Sequence, residues 1–107
     1  MSQEAALRTA VKRVIDQNRS IGYTPSRFIQ ATEDGMAINI FDVCERLLTS
    51  PETLEHLEPA VTKYRTLLTL EDEVARDPTA LGLSEAAHKS ANERVQYFTQ
   101  ICPGRRP

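Results

Sequence analysis

Residues Gly22 to Ser50 read GYTPSRFIQATEDGMAINIFDVCERLLTS, and this stretch decides the fold. Gly22 supplies the left-handed conformation that closes a preceding helix. Thr24-Pro25 then supplies a cap followed by the residue favoured at a first helical position. A short helix is expected from Pro25 to about Glu33, with Phe28, Ile29 and Ala31 as its apolar side, ended by Gly35. From Met36 to Thr49, Ala37, Ile40, Phe41, Cys44, Leu47 and Leu48 share a face that Ile38 and Val43 widen. This is the signature of a central helix contacted on several sides. Asn39, Asp42, Glu45 and Arg46 are left for a narrow solvent strip.

Upstream, Leu7, Ala10, Val11, Val14 and Ile15 recur at helical spacing, so residues 3 to about 19 read as an amphipathic helix capped by Ser2. Downstream, Ser50-Pro51 repeats the cap-then-proline signal. The helix it opens runs through Leu54 and Leu57 to a break at Pro59, after which Ala60, Val61, Tyr64, Leu67 and Leu68 resume a helical face. Thr69 and Asp72 have the spacing of a capping box that opens Leu70 to Arg76, stopped by Asp77-Pro78. Ser84 caps the last helix, whose seam is Ala87, Ala91, Val95, Phe98 and Ile101, ended by Cys102-Pro103-Gly104. No segment alternates with period two. The expectation is all-α: a compact single-domain bundle of five to six helices with short loops over residues 1–104, and a frayed tail at 105–107.

The 107 residues, 40% hydrophobic and 26% charged, suit one globular core without a metal or disulfide framework. No apolar run approaches the roughly 20 residues that cross a bilayer, and the acidic N-terminal sequence lacks a signal peptide's pattern, so the expected compartment is the cytoplasm. Cys44 and Cys102 read as reduced, buried thiols. The net charge of −2 is unevenly placed: residues 1–27 sum to +3, residues 28–85 to −8 and the remainder to +3. Such ends and such a middle attract one another, or else form a docking surface.

No catalytic constellation emerges. His56 and His88 sit among residues of exposed type, Cys44 lies in an apolar stripe beside Asp42 and Glu45, and Glu71, Asp72 and Glu73 point different ways around a helix. Neither a phosphate loop nor a calcium-loop spacing occurs. The expectation is no enzyme, no cofactor, no metal and no evident small-molecule substrate. Two binding readings remain. The first is a non-catalytic adaptor or regulatory module that engages a protein partner or a second copy of itself. The alternative is nucleic-acid binding, either through the basic first helix, with Arg8, Lys12, Arg13 and Arg19 on phosphates, or through a degenerate helix-turn-helix. In the latter, Ala31, Gly35 and Phe41 fall at the motif's offsets and Asn39 is the one base-reading candidate.

Gly22-Tyr23-Thr24-Pro25, Phe28, Gly35 and Leu47-Leu48, with Leu68-Thr69-Leu70-Glu71 and the Ala-x-x-Arg-Val of Ala91 to Val95, resemble an uncharacterised bacterial helical domain. That domain stands alone or is appended to nucleases and other defence-associated proteins. The resemblance covers about residues 20 to 98. It implies a helical accessory module of bacterial or phage origin and carries over no catalytic residue.

Overall fold

The computed structural model describes residues 2–36, 39–77, 79 and 81–107. Six helices follow one another: α1 Gln3–Ser20, α2 Ser26–Met36, α3 Ile40–Thr49, α4 Pro51–Lys63, α5 Leu70–Arg76 and α6 Glu85–Ile101. No strand occurs among the described residues, so the all-α bundle holds. Its Cα radius of gyration, 12.7 Å, is close to the roughly 13 Å of a compact chain of this length.

Local chemistry sets most of the boundaries. Ser2 caps α1 by accepting from Ala5 N, Ser84 caps α6 by accepting from Ala87 N, and Thr69 and Asp72 form a reciprocal capping box on α5. Gly22 adopts φ +87° just beyond α1, as the turn there requires. The inner face of α1, Leu7, Ala10, Val11 and Val14, meets Ile40, Cys44 and Leu48 of α3. Leu70, Val74, Leu81, Leu83, Ala87 and Ala91 complete that cluster. A second cluster, Ala60, Val61, Leu67, Phe98 and Cys102, joins α4 to the end of α6. The central place expected for α3 is real, since it packs on α1, α2, α4 and α6.

Several local expectations are corrected. α2 continues through Gly35 to Met36, because an interior glycine weakens a helix by only about 1 kcal/mol and α2 is held by packing on α3. α3 starts at Ile40 instead of Met36, with Asn39 as its N-cap; Ala37 and Ile38 lie outside the described residues. Only Ile40, Cys44 and Leu48 of α3 are fully buried, whereas Phe41, Val43 and Leu47 are half-buried. α4 passes through Pro59 and ends at Lys63. The stretch of Tyr64 to Thr69 is therefore a non-helical connection in which Leu67 is buried. Ser50 stands at the N-cap of α4 without a side-chain cap bond. The tail expected to fray is tied down at Arg105 and Arg106. Arg105 grips Asp72 with both terminal nitrogens, one at 2.8 Å, and donates to Leu67 O at 2.9 Å, while Arg106 N donates to Arg65 O at 3.0 Å.

Candidate functional site

α2 and α4 both pack on α3, and a cleft of about 480 Å³ opens between them. Its walls are largely apolar: Val14 from α1, Pro25 just before α2, Phe28 and Ala31 from α2, Leu47 from α3, Leu57 from α4 and Leu68 from the connection to α5. Its size and lining fall within the range of sites that hold an organic group. Gly22-Tyr23-Thr24-Pro25, Phe28, Leu47 and Leu68-Thr69-Leu70-Glu71 are far apart in sequence, yet Tyr23 to Pro25, Phe28, Leu47 and Leu68 to Glu71 all line this one cleft.

Three buried polar residues, Asn18, Thr69 and Glu71, also line it. Thr69 is satisfied by the capping box. Glu71, 2% exposed, takes a 3.1 Å hydrogen bond from Nη1 of Arg94, itself 6% exposed. Burial pushes the Glu71 carboxyl above the usual carboxylate range, outweighing its own backbone N–H and Arg94, which pull the other way. Arg94 also donates to Leu47 O at 2.9 Å and Ser50 O at 2.7 Å, so one guanidinium fastens the end of α3 and the start of α4 to α5.

Asn18 occupies the next inward position of α1 after Leu7, Val11 and Val14. Its amide donates to Leu68 O at 2.9 Å and to Gln17 Oε1 at 3.0 Å. Gln17 is oriented in turn by Leu68 N, which donates to Oε1 at 2.9 Å, and by its own donation to Thr66 O. With both amide hydrogens committed, the orientation of Asn18 is fixed. Its Oδ1 accepts from no group among the described residues and is not sealed off from solvent.

At the mouth, Arg27 of α2 donates Nη1 to Nε2 of His56 on α4, and Glu52 Oε1 stands 3.9 Å from the same nitrogen. All three residues line the cleft. Neither cysteine does; both are buried free thiols, and burial with the nearby Glu45 pushes the Cys44 thiol up to about 12. No group of three or more His, Cys, Asp or Glu able to hold a metal ion occurs among the described residues. No helix among them is long and apolar enough to cross a membrane.

The basic residues of α1 lie elsewhere. Arg8, Lys12 and Arg19 line a shallow groove between α1 and α2 together with Asp16 and Glu33. Arg8 pairs with Glu4 at 3.7 Å and Lys12 with Asp16 at 4.0 Å, while Arg13 turns away to the buried carboxylate of Glu73, which Arg76 also reaches. The groove thus brings three of the four bases together but interleaves them with carboxylates, an unfavourable setting for a phosphate backbone. Asn39 accepts from Phe41 N at 3.0 Å and Asp42 N at 3.4 Å, so the side chain considered for reading a base serves as a helix cap.

Sequence reasoning missed Asn18, Glu71 and Arg94 as site residues. The available signal was a polar residue at an inward helical position, Asn18 on the stripe of α1 and Arg94 beside the seam of α6. No protein-family model, curated protein or solved structure matches the chain.

Proposed function

We propose that this chain is a non-catalytic helical interaction domain, an adaptor or regulatory module that holds a protein partner by admitting an apolar side chain into the cleft between α2 and α4. The observation that carries this is the cleft itself. A helical bundle of this size has every reason to close apolar walls such as Phe28, Leu47, Leu57 and Leu68 against each other. Here they flank an opening rimmed by Arg27, Glu52 and His56, the pattern of an apolar anchor pocket with a polar rim. The largely apolar lining supports a binding role. The resemblance to a bacterial helical accessory domain supports a bacterial or phage-borne setting.

The test is a photo-crosslinking residue in place of Thr53 on the rim, introduced in cells carrying the full chain. A discrete protein adduct is expected, and Ala31→Leu, which narrows the cleft, removes it. An adduct of twice the chain's mass identifies the partner as a second copy. No adduct, or one indifferent to Ala31→Leu, overturns the reading.

A further inference from the structure

Resting on this docking reading, we infer that the side chain the cleft is built to receive is an indole, a tryptophan of the partner protein. The walls call for a large apolar body. The buried polar residues narrow the choice further, because their spare capacity is that of acceptors. Asn18 Oδ1 has no donor among the described residues, although Asn18 is 3% exposed and lines the cleft, and Glu71 belongs to the same lining.

A fully apolar occupant such as phenylalanine would leave the Asn18 acceptor dry and unpaired. A lysine or arginine would bring a second charge to Glu71, which Arg94 already balances, in a cleft that also carries Arg27. A phenol satisfies an acceptor but brings lone pairs of its own, and the buried donors nearby are committed: the Asn18 amide to Leu68 O and Gln17, the Thr69 hydroxyl to Asp72, Arg94 to Glu71, Leu47 O and Ser50 O. Indole is donor-only, with one N–H, no acceptor to satisfy and the largest apolar surface of any side chain.

The chain contains no tryptophan, so a tryptophan probe reports without background. N-acetyl-tryptophanamide titrated with the full-length protein is expected to show a saturable blue shift of its emission. In the amide spectrum of the unmodified protein, the same titration moves resonances of Asn18, Phe28, Leu57 and Leu68. The 1-methylindole analogue, of the same shape but without the N–H, binds roughly threefold to tenfold more weakly, the worth of one hydrogen bond. Equal binding of the two overturns the indole assignment, as does a spectrum whose shifts fall away from the cleft. If the tryptophan probe fails to saturate while the Thr53 adduct persists, the indole assignment falls and docking in the cleft stands. If both fail, the cleft is not a docking site.

Discussion

Arg94 does at the scale of one residue what no local signal predicts. Its guanidinium satisfies Glu71, Leu47 O and Ser50 O together, and both Arg94 and Glu71 are buried. Removing one partner of such a pair leaves the other charge buried and costs about 3 to 5 kcal/mol. Arg94→Met is therefore expected to lower the urea midpoint sharply. Glu71→Leu combined with Arg94→Met recovers part of the loss, because the stranded carboxylate goes with it; a double variant no more stable than Arg94→Met contradicts the pairing. Cys44 gives a second, pH-dependent signature. Its thiol ionises near 9.0 when unfolded but only at about 12 in the fold, so the unfolded chain loses its proton first. The stability this contributes is full below pH 9 and declines as pH rises through that window, by about 1 kcal/mol per pH unit. In thermal melts from pH 8 to 10.5, Cys44→Ala should fall less steeply with pH than the unmodified chain. That Cys44 is core was legible from its stripe. That Arg94 is core was not, since a charged residue beside a helical seam reads as solvated until its partners, 23 and more positions away, are placed.

The elements divide along the same line, between contacts made within a few residues and contacts made across the chain. Capping is local, and Ser2, Thr69 with Asp72, and Ser84 could be read directly because each bonds a backbone group three residues on. Helix interruption is not local in this sense. Gly35 and Pro59 both carry breaking propensity, yet α2 and α4 run through them because neighbouring helices hold the chain in helical conformation. The cost to α4 remains measurable. Pro59 offers no N–H to the Glu55 carbonyl, and its exposed ring buries little. Pro59→Ala is expected to raise stability by about 1 to 3 kcal/mol, offset in part by a freer unfolded chain. A lowered thermal midpoint would show that Pro59 is needed to seat Ala60 and Val61 in their cluster. α5 presents the opposite case. Seven residues cannot hold a helix alone, so its capping box matters, and Thr69→Ala should cost about 1 kcal/mol in chemical denaturation.

Across the whole molecule, the uneven charge of the sequence resolves into a design centred on α5. Its consecutive acids each meet an arginine from a different part of the chain: Glu71 meets Arg94 of α6, Asp72 meets Arg105 of the tail, and Glu73 meets Arg13 of α1. The attraction between basic ends and acidic middle was readable as a sum. Its form was not, because three successive side chains on a helix point three ways and so recruit three partners. One consequence separates this arrangement from a mere balance of surface charge. Arg105 is 2% exposed at its side chain, lies 5.3 Å from the Phe98 ring centre and holds the carboxylate that completes the α5 cap. Removing residues 105–107 should then destabilise the entire domain by about 3 to 5 kcal/mol, as for any buried pair cut on one side. The expected readout is a lower urea midpoint with an unchanged slope, seen coincidently by far-ultraviolet circular dichroism and by tyrosine absorbance, since the clamp joins α5, α6 and the Leu67 segment in one cooperative unit. A surface pair would fade with salt, whereas this one is shielded from it, so the difference between full and shortened chains should persist at high ionic strength. Superposable curves for the two chains would return the C-terminus to the frayed tail that its sequence suggests.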